Sequence, residues 1–326
     1  MHHSADGNLG TQQSPGATPG RRRISTGGRD LTSTTPTRPG DVLDADRLAG
    51  FFAARGRDLP WRRPTAGGWG VLVSEVMLQQ TPVSRVLPVY REWMARWPEP
   101  AALAAEPAGE AVRAWGRLGY PRRALRLHAA AVVLVRDHRG AVPTDLDSLR
   151  ALPGVGEYTA RAVAAFAYGQ RHPVIDTNVR RVLSRAVRGI DEHGPATAAD
   201  RAELAALLPV EPRRAATFSA AVMELGALVC TAAGPRCEEC PLSERCAWLA
   251  AGRPAGPPRR PAQGWHGTDR QVRGAIMAVL RESPSPLPET LLAADRHDPA
   301  QWRRCLDSLL ADGLAVRDQA GLITLP

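Results

Sequence analysis

The sequence contains no lysine: all 42 of its basic residues are arginine. Any chemistry that needs a side-chain amine, Schiff-base formation above all, is therefore closed to it. Cysteine is scarce as well, at five in 326 residues, and four of the five fall within 230–246. A set clustered in this way does not read as the disulfide framework of a secreted protein. It reads as a metal site in a reducing compartment. No apolar run approaches the ~18 residues of a membrane helix. The N-terminal stretch has no apolar core of a secretory signal. The expectation is a cytoplasmic, nucleoid-associated protein with no membrane partner.

What is present is positive charge. The formal net charge is +9 and the isoelectric point is near 10.2. A surplus of this size favours a polyanionic partner, and nucleic acid before membrane, because no basic amphipathic anchor stands out. Hydrophobic residues make up 44% of the chain, enough for a substantial core. Residues 1–40 are Gly, Ser, Thr, Pro and Arg without periodicity and read as a disordered tail. From 41 to 250 apolar residues recur three and four apart, as in "DADRLAGFFAARG", "VLVSEVMLQQT" and "EYTARAVAAFAYG". Gly and Pro punctuate the segments, and no strand alternation persists. This part is mainly α. Residues 251–264, "AGRPAGPPRRPAQG", are a linker. Beyond it, 265–326 shows three short helical segments, 268–282, 287–294 and 299–312. Two β runs around a Gln-Ala-Gly turn follow. That order predicts a small winged-helix-like α+β domain.

The four clustered cysteines, Cys230, Cys237, Cys240 and Cys246, are spaced C-x6-C-x2-C-x5-C in "CTAAGPRCEECPLSERC". Four thiolates at one point suit zinc or a [4Fe–4S] cluster, and the spacing alone leaves both open. The fifth, Cys305, reads as a buried small apolar residue.

The cysteine run follows "MELGALVC" and closes a helical stretch that also contains "LPGVGEYTA" and "VIDTNVRRV". The combination resembles the helix-hairpin-helix DNA glycosylases with an iron–sulfur loop, the endonuclease III superfamily. "LPWR", "SEVMLQQT" and "GLGY" are similar to its MutY-type adenine glycosylases. The likeness covers 41–250. It implies a helix-hairpin-helix glycosylase fold whose loop, 230–246, holds a [4Fe–4S] cluster on the four cysteines.

The resemblance also implies roles. Gly154 and Gly156 of "LPGVG" form the hairpin that presents backbone N–H groups to a phosphate, with a monovalent cation on its carbonyls. Arg117, Arg122, Arg123 and Arg126, around "GLGY", are expected on phosphates. Gln80 enters the base stack, Tyr120 wedges beside the mismatched base, and Leu78 lies near the flipped adenine. Trp61 and Arg62 line the adenine pocket. Glu75 is the proton donor to adenine, and Asp176 is the anion that stabilises an oxocarbenium-like sugar. Asn178 helps to order Asp176. Tyr158 stands where the strand-cleaving branch carries lysine, so the implied enzyme is a monofunctional glycosylase. The implied partner is duplex DNA with adenine opposite 8-oxoguanine or guanine, bound by a monomer. Two alternatives stay open: a glycosylase/lyase of endonuclease III type acting on another base, and a non-catalytic iron–sulfur DNA-binding protein. The chain departs from the family at Thr177, where Gly is usual, and at Pro121, where a second Tyr is common. Residues 265–326 are too short for the Nudix-like domain of many MutY-type enzymes.

Overall fold

The computed structural model describes residues 39–192, 194–258, 264–292 and 298–326. The expected tail and its "RRR" at 21–23 lie outside the described residues, as does part of the linker. Among the described residues the chain is helical apart from two two-residue strands.

The helix Gly67–Leu78 is the centre of the first core. Every residue from Trp69 to Met77 is buried. An element that is apolar all round must be enclosed on all sides. It packs against the helices Val83–Arg96, Arg122–His138 and Glu157–Tyr168. Glu75 is its one ionisable residue. A second core joins the helices Ala45–Arg55, Thr177–Ala186 and Pro212–Leu228, and the cysteine loop packs along its edge. Glu75 comes from the first core and Asp176 from the start of a helix in the second. The catalytic candidates therefore meet where the two cores adjoin.

Local signals explain where these helices begin. Asp44 accepts from the N–H groups of Asp46 and Arg47 at 3.0 and 3.1 Å, capping Ala45–Arg55. Asp176 caps Thr177–Ala186 by accepting from Val179 N–H at 2.7 Å. Glu157–Tyr168 begins at Gly156 with no side-chain cap, so its first N–H groups are open to an outside acceptor.

The C-terminal residues form the helix Asp269–Glu282, the single turn Glu289–Leu292, the helix Pro299–Ala311 and the strands Val316–Arg317 and Ile323–Thr324. The strands pair antiparallel, Val316 with Thr324 and Arg317 with Ile323. Leu287 bridges to Ile323. The middle helical segment begins at Glu289 rather than at the expected 287, and 293–297 lie outside the described residues. The apolar residues of this part, Val272, Ile276, Leu306 and Leu325 among them, belong to the same cluster as the first core. The end of the chain is bonded in: Gly109 N–H donates to the carbonyl of Pro326 at 2.5 Å. Cys305 is buried, as its pattern predicts.

Candidate active site and DNA-facing surface

A cleft of about 1230 Å³ opens between the two cores, with Trp61, Arg62, Glu75, Leu78, Tyr158 and Asp176 among its walls. Glu75 is 6% exposed. Burial pushes its carboxyl up to about 7; hydrogen bonding to Tyr158 opposes the rise, the Asp176 charge adds to it, and the Arg62 charge opposes it. Burial, and then the charges of Glu75 and Asp176, push the Tyr158 hydroxyl well above its ordinary value. Tyr158 therefore stays a protonated donor to Glu75.

Asp176 is only partly buried. Burial raises its carboxyl, but donors to the charged form oppose the rise: Val179 N–H, the Asn178 amide and, at longer range, the Arg181 charge. Asn178 Nδ2 donates to Asp176 Oδ2 at 2.7 Å, and Asn178 Oδ1 accepts from Arg181 Nη2 at 2.7 Å. The expected ordering of Asp176 by Asn178 is present. The two carboxyls therefore differ in kind. Glu75 sits in an apolar wall with a phenol for company, while Asp176 sits on a helix N-terminus among donors. Both carboxyls are raised by burial, and only the Asp176 carboxylate has several donors that oppose the rise.

Gln80 and Tyr120 both lie at positive φ, 54° and 49°. Side-chain-bearing residues adopt this region at a cost, and such strain collects at functional sites. Tyr120 is 52% exposed, so it is no part of the core. Arg123 ties the two turns together. Its Nη1 donates to the carbonyls of Val76, Met77 and Gln79, and its Nη2 to Thr81 Oγ1 and the carbonyl of Gly119. One buried guanidinium thus caps the Glu75 helix and holds both strained turns to it.

At the hairpin, Gly154 has φ +81°, and a Cβ there would stand 2.8 Å from Arg126 Cβ. Gln79, Arg126 and the backbone of 153–159 line a recess at the open N-terminus of Glu157–Tyr168. On the far side of the second core, Arg185 Nη1 donates to Cys230 Sγ at 3.6 Å. Burial, with the neighbouring Cys230, Cys246 and Cys237, pushes the Cys240 thiol up to about 11. Among the described residues no three His, Cys, Asp or Glu side chains stand close enough to hold a single metal ion. Four free thiols on one loop are a donor set whose chemistry suits a metal or an iron–sulfur group.

The HhH-GPD superfamily of base excision DNA repair proteins matches residues 73–206. The adenine DNA glycosylase of Mycobacterium tuberculosis (strain ATCC 25618 / H37Rv) is 52% identical over 300 residues, covering 91% of this chain and 97% of that protein. That of Mycolicibacterium smegmatis is 55% identical over 285 residues, covering 87% and 96%. The chain belongs to the adenine DNA glycosylases. It is an adenine-specific DNA N-glycosylase of base excision repair. Among solved structures, a thermostable thymine-DNA glycosylase superposes with a TM-score of 0.58 at 26% identity, over 65% of this chain and 97% of that one.

Several expectations change in this glycosylase. Arg123 does not reach phosphate: it is 7% exposed and spent on backbone carbonyls. Burial lowers its guanidinium to about 10. Arg122 pairs with Asp312 at 3.2 Å. Arg126 keeps a place at the hairpin recess. Gly156 has φ −93° and ψ −179°, extended backbone open to any residue, so Gly154 alone needs glycine's freedom. Trp61 is both wall and core, edge-on to Tyr90 at 5.0 Å. Arg62 borders the cleft, but its guanidinium is held by Glu224 at 2.7 Å.

Glu224 itself escaped the sequence reading. It is fully buried, accepting from Arg57 N–H, Nε and Nη2 at 2.8, 2.8 and 2.7 Å. Despite the burial, Arg57 and Arg62 hold its carboxyl down at about 2. The signal was a single acid inside the apolar run "FSAAVMELGAL".

Proposed function

We propose that this glycosylase is monofunctional and removes adenine opposite 8-oxoguanine or guanine, with Glu75 as proton donor and Asp176 as fixed anion. The observation that carries the reading is the unequal setting of the two carboxyls on one cleft. A base inside a duplex is out of reach, so the adenine must swing out into the cleft. Anionic adenine is a poor leaving group. A neutral Glu75 carboxyl, poised near 7, protonates the ring at N7 and lets the base depart. The sugar is left with positive charge, which the Asp176 carboxylate stabilises from its capped position. Water then completes an abasic site. Tyr158 keeps Glu75 oriented and offers no amine, and no lysine stands anywhere in the chain. No side-chain amine is present to capture the ring-opened sugar, which argues against the lyase reading.

Gln80 and Tyr120 would support the distorted duplex from their strained turns, with Leu78 beside the extruded base and Trp61 and Arg62 on the adenine pocket wall. Gly154, Gly156 and Arg126 would hold a phosphate at the hairpin, whose carbonyls would take a monovalent cation. Cys230, Cys237, Cys240 and Cys246 would hold a [4Fe–4S] cluster, whose part is to cross-link the 230–246 loop onto the second core. Residues 265–326 support a reading as a winged-helix-like unit through their three helical segments and hairpin. Among the described residues no helix is long and apolar enough to cross a membrane. The protein would act as a monomer on nucleoid DNA.

A single-turnover assay on duplexes with adenine opposite 8-oxoguanine, guanine and cytosine tests the reading. Excision is expected opposite the first two. A covalent adduct trapped by borohydride on an abasic duplex would overturn the monofunctional assignment.

A further inference from the structure

Outside the cleft, aromatic rings and guanidinium groups alternate from the core to the surface. Trp115 is fully buried. Arg123 Cζ lies 5.2 Å from its ring centroid and 5.5 Å from that of Tyr120. Arg270 Cζ then lies 5.9 Å from the Tyr120 ring and 5.2 Å from the ring of Trp265. Trp265 is 47% exposed, almost as open as Tyr120. The ladder therefore begins in the glycosylase helices and ends on the C-terminal part. Guanidinium–ring contacts at exposed sites contribute little to folding. Folding alone does not call for two open aromatic rings bracketing an arginine beside a strained turn.

We propose that Trp265 and Arg270 extend the Tyr120 wedge into a platform that receives the nucleotide opposite the extruded adenine. The inference rests on the placement of Tyr120 against the duplex proposed above. The residues lining the cleft all precede 264, so the ladder does not touch the base that leaves the helix. It meets the duplex side of the molecule through Tyr120, which the reading above sets beside the mismatched base, and Arg270 and Trp265 follow from that ring. Its chemistry suits an unpaired purine. Aromatic faces stack on any base, and a guanidinium donates to the O6 and N7 acceptors of guanine. Arg270 is exposed, while the carboxylate next to it, Asp269, is taken by Arg304 and Gln301 at 2.9 Å each. Thr268 Oγ1 donates to the Trp265 carbonyl at 2.8 Å, anchoring the ring's backbone at the helix start.

The test uses the full-length holoprotein and a duplex with a tetrahydrofuran abasic analogue opposite 2-aminopurine. The wild type is expected to quench the 2-aminopurine fluorescence on binding. Trp265→Ala and Arg270→Ala are expected to bind this duplex roughly tenfold more weakly and lose the quench, with adenine excision at saturating DNA kept within about twofold. Trp265→Phe keeps a ring and should keep the quench, which separates stacking from misfolding. If both alanine variants bind and quench as the wild type while Tyr120→Ala does not, the platform is refuted and the wedge stands. If Tyr120→Ala also changes nothing, the wedge reading falls and takes the platform with it. An equal loss on an undamaged duplex would make the pair a backbone contact and overturn the proposal.

Discussion

At the scale of single residues, the site works by giving two like groups unlike surroundings. Glu75 titrates near 7 because burial disfavours its charge. As a proton donor it must be neutral, so excision is expected to fall as pH rises through about 7 in a single-turnover pH profile. Tyr158 is the larger of two influences that lower the Glu75 value, the other being the Arg62 charge. Tyr158→Phe should therefore move the descending limb to higher pH. Glu75→Gln removes the acid and should slow excision by roughly 10²–10⁴-fold. The same substitution should stabilise the fold. A carboxyl raised from 4.5 to about 7 costs nothing below 4.5, costs progressively more up to 7, and keeps that cost above it. Melting temperatures of Glu75→Gln and wild type should coincide at low pH, and the variant should melt higher at pH 8. Both carboxyl candidates were legible because each stands in a contiguous motif. Glu224 was not, because its meaning lies in Arg57 and Arg62, more than 160 residues away along the chain.

At the scale of elements, the hairpin separates two glycines that look alike in the sequence. Gly154→Ala must hold a side chain at φ +81° with Arg126 against it. It is expected to destabilise the protein by about 1–3 kcal/mol in denaturant unfolding. Gly156 has extended backbone and open space around its Cα, so Gly156→Ala should melt with the wild type. Any loss it shows should be in DNA affinity alone. Arg123 teaches the same lesson from the other side. In sequence it is one of four arginines around "GLGY". In the fold it caps the Glu75 helix and joins two strained turns, a role set by five acceptors that only the packing brings together. Helix boundaries, by contrast, were readable, because caps such as Asp44 and Asp176 act on N–H groups within three residues.

At the scale of the whole molecule, the C-terminal part is not hung on a tether. Its core runs into that of the glycosylase helices. The helix Asp269–Glu282 lies against Ala108–Trp115, Arg281 Nε donates to the Val112 carbonyl at 3.3 Å, and Leu325 packs on Gly109. A chain ending at 264 would leave this face bare. It is expected to melt lower by ~5 °C or more and to aggregate on heating, as read by calorimetry and light scattering. The continuity was invisible in the sequence, where a Pro/Gly-rich stretch signals only that regular structure pauses.

By itself the sequence determined the chemistry on offer: one carboxyl in "SEVMLQQT", another in "VIDTNV", a hairpin in "LPGVG", four grouped thiols and no side-chain amine. Each is a matter of residue type and short spacing, and those are written along the chain. The tertiary structure alone decided how deeply each carboxyl is buried, which arginines are spent on the fold, and how Tyr120 comes to stand beside Arg270 and Trp265. Burial and electrostatic fields are set by neighbours in space, and in this protein those neighbours come from distant segments of the chain, as Glu224 and Arg57 do.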